Sequence, residues 1–396
     1  MRAHGFRGRT LASSAPMNPS AALDLIVYGA TGFTGRLVAE YLARNYKQLA
    51  WGMAGRSADK LASVRDEVGA PRDLPLIVAD GADRASLVAM AGRAKAIITT
   101  VGPYQLYGSE LVAVCAETGT DYLDLCGEPI WMHQMIEAHD AQAKQSGARI
   151  LFSCGFDSIP FELGVHFLQE IARKRLGHVV PRVKGRVRAM RGGLSGGTAA
   201  SGQATLDAIQ KNPPLLRVVL NPFALTPGFE GPKQPSGEKP LHDPDLGADV
   251  GPFMMAVINT KNVHRSNYLL DHAYGKDFAY DEMIVIAPGA PAPFSAERGN
   301  VPKPGEGPSK EERESGFFDV LFIGIDSDGR QVRAAVRGDR DPGYGSTAKM
   351  IAEAGLCLVQ DCADVRGGIW VPGAAMGQKL VARLPRAGVT FSDETA

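Results

Sequence analysis

The chain has 396 residues, 44% of them hydrophobic, and its 43 basic and 43 acidic residues leave no formal net charge. This length exceeds what one hydrophobic core usually supports, so we expect two domains with a ligand cleft between them. Nucleic acid is not an expected partner, because phosphate binding requires a concentrated basic surface and no block of like charge extends beyond a few residues.

The first 22 residues carry three arginines and no acidic residue. Their apolar stretch is too short for a secretory signal, so we expect a disordered tail, or a start placed too early with Met17 as the true beginning. The rest of the chain has no run of about 18 apolar residues, so we expect no transmembrane helix. The five scattered cysteines are typical of reduced thiols in a cytoplasmic protein. Cys357 and Cys362 lack a second pair of ligands, so no metal site is expected.

Residues 23–160 alternate short apolar runs with amphipathic stretches, the pattern of a parallel sheet wrapped by helices. Six strands are predicted, each with Gly, Asp or Arg at its last or next-to-last position: DLIVYGA (24–30), LAWGMAGR (49–56), LPLIVAD (74–80), AKAIITTVG (94–102), DYLDLCG (121–127) and ARILFSCG (148–155). We therefore predict a Rossmann-type doubly wound α/β fold, in which ligands bind at the carboxyl ends of the strands.

Residues 161–340 differ in character and predict an inserted α+β substrate domain built on an antiparallel sheet. Residues 182–190, RVKGRVRAM, alternate like a half-buried strand, and Asp328-Gly329 separates two alternating runs as a hairpin turn does. Prolines are dense in 212–252 and 288–308, which favours long loops or lids. Residues 341–396 are expected to form helices that pack back on the first domain.

The stretch GATGFTG, residues 29–35, lies between the first predicted strand and helix, where a dinucleotide-binding turn belongs. Gly29 permits the tight turn, Gly32 lets a pyrophosphate approach the backbone around Thr31, and Gly35 allows close packing of helix on strand. The free N–H groups of the first helical residues, Phe33 and Thr34, are expected to face the phosphates.

The end of the second strand distinguishes the two dinucleotides. An NAD site usually places an acidic residue there to hold the ribose 2′-hydroxyl, whereas this chain has Arg56 followed by Ser57 and, three residues on, Lys60. A guanidinium pairs with a 2′-phosphate that a carboxylate would repel. NADP(H) is therefore the expected cofactor, and the alternative is that Arg56 is a solvated surface residue.

The ends of the third and fourth strands complete the expected cofactor site. Asp80 suits the adenine edge, and the loop Thr100, Val101, Gly102 and Pro103 is expected beside the nicotinamide ribose. The Gly-Pro pair in this loop favours a turn.

Several motifs resemble a known family: YGATGFTGRLVAEYL, MAGRSADKL, TTVGPYQLYG, GTDYLDLCGE and CGFDSIPFELG are similar to the NADP-binding domain of saccharopine dehydrogenase-like oxidoreductases. SGGTAASG, GPFMMAVINTKNVHRSNYLL, DPGYGSTAKMIAEAGLCL and GGIWVPGAAMGQKLVARL resemble the branch known as trans-acting enoyl reductases. The resemblance implies reduction of a carbon–carbon double bond on an acyl chain carried by a lipid-making polyketide synthase. The aromatic-rich PIWMHQM (129–135) and the proline-dense 212–252 depart from the family pattern.

Reducing an enoyl thioester requires stabilisation of the developing enolate oxygen and a proton donor. None of the ten tyrosines has a lysine four residues later, which excludes the Tyr-x-x-x-Lys pair of short-chain dehydrogenases. Tyr104 and Tyr107 are candidate donors, with simple packing as the alternative. Asp157 at the end of the sixth strand is a further candidate, with capping of the next helix as the alternative. Glu128 is expected to order the cofactor ribose or to bind a cationic substrate, with an action through a neighbouring residue as the alternative.

We therefore expect a cytoplasmic NADPH-dependent oxidoreductase that reduces an enoyl thioester or related lipid intermediate. The expected partners are a small-molecule or carrier-bound acyl substrate, an acyl carrier or polyketide synthase, a lipid surface and a second copy of the chain. A saccharopine-type imine reductase is the alternative enzyme, and Arg186, Arg188 and Arg191 would grip its carboxylates. A non-catalytic NADP(H)-binding scaffold at a lipid or protein surface is the alternative of another class.

Overall fold

A computed structural model describes residues 22–192, 196–286 and 306–396 of the chain. The tail expected at residues 1–22 falls almost wholly outside these ranges, as does most of the proline-rich segment 288–308. No helix within the described ranges is long and apolar enough to cross a membrane.

The first part of the chain folds as six strands separated by helices, as predicted. The strands are β1 (Leu23–Tyr28), β2 (Trp51–Gly55), β3 (Leu76–Val78), β4 (Ala94–Thr99), β5 (Asp121–Leu123) and β6 (Arg149–Leu151). The helices are α1 (Phe33–Asn45), α2 (Ala58–Glu67), α3 (Arg84–Ala91), α4 (Tyr104–Tyr107), α5 (Ser109–Thr118), α6 (Pro129–Ser146) and α7 (Ile159–Leu176).

These six strands are all parallel and lie in the order β6-β5-β4-β1-β2-β3. The chain moves outward to one side from β1 to β3 and then returns to place β4 on the other side of β1. The helices that follow β1 and β4 therefore lie on opposite faces of the sheet, and such a change of side marks where doubly wound sheets bind ligands. The predicted Rossmann fold is confirmed.

Both faces of this sheet are buried, and β1 shows why its sequence is a continuous apolar run. Leu25 and Val27 pack into one core, whereas Ile26 and Tyr28 pack into the other. Successive side chains of a strand point to opposite faces, so a strand covered on both sides needs apolar residues at every position.

The second sheet follows β6 and α7. Its strands are β7 (Arg182–Arg191), β8 (Leu241–Asp243), β9 (Ala248–Pro252), β10 (Ala279–Val285), β11 (Phe317–Ile325) and β12 (Gln331–Gly338). The accompanying helices are α8 (Gly196–Lys211), α9 (Leu216–Leu220), α10 (Ala256–Leu269) and α11 (Lys310–Ser315). Strands β11 and β12 form the predicted hairpin, with Gly329 in the left-handed conformation that its turn requires.

This sheet is mixed, which corrects the prediction of an antiparallel one. β10 runs parallel to β7, while its other neighbour β9 and the pairs of β11 are antiparallel. β10 is parallel to β7 because the long connection between them, which includes α8, α9 and α10, brings the chain back to the same end of the sheet before β10 begins. Strand sequence carries no signal for that direction.

The C-terminal residues contribute more than the helices that the sequence predicts. They form α12 (Thr347–Asp361), β13 (Gly368–Trp370), α13 (Pro372–Ala375), α14 (Gly377–Arg383) and β14 (Val389–Asp393). α12 packs against α1 and β4, while β13 extends the parallel sheet beside β6 and β14 extends the mixed sheet beside β12. A strand as short as β13 shows no period in the sequence, and only its pairing reveals it.

Candidate active site

The glycine loop between β1 and α1 has no space for side chains at two of its three glycines. Gly29 has a φ of 86°, and a Cβ there would lie 2.7 Å from Val101 Cγ2. A Cβ on Gly35 would lie 2.2 Å from the carbonyl oxygen of Gly29, and one on Gly32 would lie 3.3 Å from the same oxygen. The turn is therefore as tight as a cradle for a pyrophosphate requires, and the residues present fit a bound dinucleotide.

The start of α1 leaves its first backbone N–H groups free of side-chain caps. Gly32 is the N-cap residue and no side chain accepts a hydrogen bond there. Phe33 and Thr34 begin the helix, so their N–H groups and the positive end of the helix dipole are available to an anion. The Phe33 ring packs edge-on against Tyr344 at 5.2 Å, with the guanidinium of Arg313 5.4 Å from its centre. Tyr344 and Arg313, which come much later in the chain, thus pack against the first residue of α1.

The residues expected to select NADP(H) lie together at the carboxyl end of β2. Arg56 is exposed, and no carboxylate in the described ranges forms an ion pair with it. Ser57 caps α2 by accepting a hydrogen bond from the Lys60 N–H at 3.3 Å, which leaves its hydroxyl hydrogen free. A cation without a protein partner suits a phosphate ligand.

Asp80 lies near the same edge of the sheet, because the charges of Asp80 and Arg56 both shift the pKa of Tyr28. Burial is the main cause that raises the pKa of Tyr28; the Asp80 carboxylate raises it further and the Arg56 guanidinium lowers it. Both charges therefore lie close to one ring. Asp80 also accepts a hydrogen bond from the Ala82 N–H at 3.0 Å, which orders the loop after β3.

The loop after β4 lies against the glycine loop. Thr100 Oγ1 donates to the carbonyl oxygens of Tyr28 and Gly29, at 3.4 Å each, and Val101 makes the contact that excludes a side chain from Gly29. Gly102 and Pro103 then lead into α4. The predicted cofactor residues on these two loops are thus brought together.

The two candidate tyrosines of α4 differ sharply in environment. Tyr104 is buried, its hydroxyl donates to the Thr99 carbonyl at 3.2 Å and accepts from the Leu125 N–H at 3.1 Å, and burial holds its pKa well above the usual value. These contacts favour a structural role for Tyr104, which ties α4 to β4. Tyr107, at the end of α4, is 55% exposed.

Glu128 is 2% exposed and accepts hydrogen bonds from three donors. Its Oε1 accepts from the Tyr104 N–H at 2.9 Å and from Ser201 Oγ at 2.8 Å, and its Oε2 accepts from the Gln105 N–H at 2.9 Å. Glu128 therefore caps α4 and connects it to α8. These hydrogen bonds fix the start of α4, directly after the loop that is expected beside the nicotinamide.

Asp157 follows β6 at the carboxyl edge of the parallel sheet. Its carboxylate forms no hydrogen bond or ion pair with any residue in the described ranges, although it is only partly accessible to solvent. Desolvation raises the pKa of Asp157 to about 7. A carboxyl group that carries its proton near neutral pH, at the ligand-binding edge of a doubly wound sheet, is suited to be a general acid.

A hydrogen-bond network beside Asp157 was not predicted from the sequence. It joins Ser158 to Asn259 of α10 and to Glu282 of β10, all of them buried. The only signal in the sequence is the alternation in AYDEMIV (279–285), which places Tyr280 and Glu282 on one face of their strand. Nothing in that pattern indicates which residues of the first sheet lie opposite.

The arginines proposed for the alternative imine chemistry are already occupied by partners within the chain. Arg186 pairs with Asp243 at 2.7 Å and with Asp281 at 2.9 Å. Arg188 pairs with Asp319 at 2.7 Å and with Glu394 at 2.8 Å, and Arg191 donates to the Ser315 carbonyl at 2.9 Å. Neither ion-paired guanidinium is free to grip a substrate carboxylate.

The cysteines are buried thiols, and the Sγ atoms of Cys357 and Cys362 lie 3.8 Å apart. Within the described ranges, no group of three His, Cys, Asp or Glu side chains is placed to hold a metal ion.

Comparison with known proteins supports the cofactor site independently. Residues 25–151 match the family model described as the saccharopine dehydrogenase NADP binding domain. A Mycobacterium tuberculosis relative with the provisional name of trans-acting enoyl reductase is 38% identical, over 93% of this chain and 96% of its own. The trans-acting enoyl reductase of Mycobacterium leprae is 36% identical, over 93% and 97%. The solved structure of saccharopine dehydrogenase (L-Glu forming) from Saccharomyces cerevisiae resembles this chain with a TM-score of 0.57. The match covers 94% of this chain and 100% of the other, and its 11% sequence identity shows a likeness of fold alone.

Proposed function

The chain belongs to the family of trans-acting enoyl reductases, and we propose that it uses NADPH to reduce the carbon–carbon double bond of an enoyl thioester. The observation that carries this proposal is the 38% identity to a relative of that name over nearly the whole of both chains. It is supported by the NADP-binding domain and by a glycine loop that is too tight for side chains at Gly29 and Gly35, as a pyrophosphate-binding turn is.

The residues that would hold the cofactor follow from the geometry of the three loops. The N–H groups of Phe33 and Thr34 would meet the pyrophosphate, and Arg56 with Ser57 would meet the 2′-phosphate. The remaining contacts would come from Gly29, Thr31, Gly32, Gly35, Lys60, Asp80, Thr100, Val101, Gly102 and Pro103. When bound, NADPH supplies the hydride that the β-carbon receives.

Asp157 is the residue that we infer to donate the proton to the α-carbon. Its carboxyl is desolvated and lacks a competing partner within the described ranges, and a pKa of about 7 leaves about half of it protonated at neutral pH. Tyr107 would donate a hydrogen bond to the thioester oxygen as negative charge develops there, because its side chain is exposed at the end of α4. Tyr104 would position this loop, since both of its hydroxyl contacts are to backbone.

We infer further that the acyl group is presented on a carrier protein. Support comes from exposed apolar side chains beside the loop, Leu106 and Tyr107 on α4 and Leu206 on α8, at 55–60% exposure. A hydrogen bond from Gln105 Nε2 to Thr205 Oγ1 at 3.3 Å holds the two helices together. An apolar surface of this kind beside a reaction site is typical of a protein-binding surface. L206E should then lower kcat/KM for a carrier-bound thioester and leave that for a coenzyme A thioester unchanged.

The test of the proposed function is NADPH oxidation, followed by absorbance at 340 nm, with crotonyl and longer enoyl thioesters. We expect turnover with these substrates and none with saccharopine or related imines. D157N should lower kcat by at least about 100-fold, as expected for loss of a general acid. NADPH binding without oxidation of any substrate would overturn the proposal and favour a cofactor-binding scaffold.

A further inference from the structure

Asp157 lies in a tight turn that follows β6. The Ser158 N–H donates to the Gly155 carbonyl oxygen at 3.2 Å, which closes a four-residue turn with Asp157 in its third position. Gly155 is pressed from two sides, because a Cβ there would lie 2.9 Å from Leu125 Cδ2 and 3.0 Å from Thr347 Cγ2. The Asp157 turn therefore packs directly against the first residue of α12.

The Thr347 hydroxyl also binds the backbone of this turn. Its Oγ1 accepts a hydrogen bond from the Phe156 N–H at 3.0 Å and donates to the Pro342 carbonyl oxygen at 2.8 Å. Because the hydroxyl proton is directed at Pro342, a lone pair of the oxygen is left for the Phe156 N–H. Thr347 is 6% exposed, so both bonds are shielded from water. The backbone N–H next to Asp157 thus has its partner on α12.

A wide turn before α12 gives Thr347 this orientation. Pro342–Ser346 form a π-helical turn, so the Thr347 hydroxyl donates to the carbonyl five residues back, where a threonine within an α-helix would reach the third or fourth. The buried Asp341 carboxylate fixes the turn by accepting from the Tyr344 N–H at 3.0 Å and from the Gly345 N–H at 2.6 Å. Turns of this kind are rare and occur frequently at functional sites.

The same segment contacts the glycine loop of the cofactor site. Tyr344 packs edge-on against Phe33, the first residue of α1, with 5.2 Å between the ring centres. The N–H group of Phe33 is one of those available to a pyrophosphate. Tyr344 and Thr347 are three residues apart in the motif DPGYGSTAKM (341–350), so one short segment contacts both the cofactor loop and the Asp157 turn.

We propose that Thr347 is a positioning residue that holds the Asp157 turn in a fixed place relative to the glycine loop. Its hydroxyl acts through the backbone of Phe156, since both of its hydrogen bonds are to backbone atoms. Proton transfer requires the acid within hydrogen-bond reach of the atom that it protonates, so a turn released from α12 slows that step and leaves cofactor binding intact. This inference rests on the proposed function for the role of Asp157.

Thr347→Val tests the hydroxyl, because valine has the shape of threonine and leaves the Phe156 N–H without its partner. With NADPH and an enoyl thioester, we expect kcat to fall about tenfold, while KM and the Kd for NADPH stay within about twofold of the wild type. Thr347→Ser keeps the hydroxyl and should restore most of kcat. A T347V protein with wild-type kcat, or a T347S protein as slow as T347V, would overturn the proposal.

Thr395→Val is the matched control. Thr395 Oγ1 also accepts from a backbone N–H, that of Arg333 at 2.9 Å, and donates to a backbone carbonyl, that of Arg333 at 3.3 Å. Thr395 follows β14 at the edge of the mixed sheet, so loss of its hydroxyl should leave kcat within about twofold of the wild type. A tenfold loss in both T347V and T395V would indicate a general effect of a lost hydrogen bond and refute a specific role for Thr347.

Hydrogen exchange tests the turn without activity. Mass spectrometry of the full chain, on peptides that cover residues 153–158, should show about tenfold faster exchange in T347V than in the wild type and wild-type exchange in T347S. Exchange that T347V leaves unchanged would overturn the proposal. A wild type inactive with every enoyl thioester would refute the proposed function, and the exchange rates would still decide whether Thr347 holds the turn.

Gly155→Ala takes the place of T347V should that variant fail to fold. Its Cβ would lie 3.0 Å from Thr347 Cγ2 and so push the turn away from α12. The same loss of kcat with an unchanged Kd for NADPH is expected. Wild-type kcat in G155A would refute the role of this contact and leave the proposed function standing.

Discussion

Arg56→Ala should abolish most of the preference for NADPH over NADH. Arg56 is exposed at the end of β2 and has no carboxylate partner in the described ranges, so its guanidinium is free for the 2′-phosphate. Hydrogen bonds between charged groups contribute about 1.5–3 kcal/mol, which corresponds to about 10- to 150-fold in Kd. Solvent and salt screen an exposed pair, so we expect the lower part of this range, about 10- to 30-fold weaker binding of NADPH.

Fluorescence titration of both nucleotides measures the effect directly. The Kd for NADH, which lacks the phosphate, should stay within about twofold, and raising the salt concentration should weaken NADPH binding more than NADH binding in the wild type only. Arg93→Ala is the matched control, because Arg93 is an exposed arginine that precedes β4 at the opposite, amino edge of the sheet. Equal affinity of the wild type for the two nucleotides, or a preference that survives Arg56→Ala, would refute the reasoning.

Three further outcomes follow from the site. Gly35→Ala should lower the free energy of unfolding by about 1–3 kcal/mol, measured by urea titration, and weaken cofactor binding, because the new Cβ would lie 2.2 Å from the carbonyl oxygen of Gly29. Gly202→Ala in α8 is the control, because nothing lies within 4 Å of its Cβ, and it should be neutral or stabilising. Glu128→Ala should lower stability by about 2 kcal/mol, since it leaves one buried and two half-buried donors unpaired, and Glu128→Gln should lose less. Asp157→Asn should stabilise the fold more at pH 8 than at pH 5. The pKa of Asp157 rises from 3.8 in the unfolded chain to about 7 in the folded protein, so between these pH values the folded state binds more protons than the unfolded state. The wild type therefore loses stability as the pH rises from about 4 to about 7, and the uncharged Asn side chain removes this loss. A stability difference independent of pH would contradict this last expectation.

The NADP-binding domain and its tight glycine turn could be predicted from the sequence because their determinants are local. Gly29, Gly32 and Gly35 act within one turn between consecutive elements, and Arg56 follows the next strand directly. Tight turns and helix starts depend on residues a few positions apart, which a sequence displays. The same holds for the hairpin at Gly329 and for the apolar runs of strands buried on both faces.

The surroundings of Asp157, which we propose as the proton donor, depend on residues that only the tertiary structure brings together. Ser158, the neighbour of Asp157, and Glu282 are far apart in the chain, and the side chain of Asn259 hydrogen-bonds to both of them. Tertiary packing also decided that the Tyr104 hydroxyl serves the backbone and that Arg186 is paired within its own sheet. Burial and partners determine the charge and availability of such groups, and neither can be read from spacing along the chain.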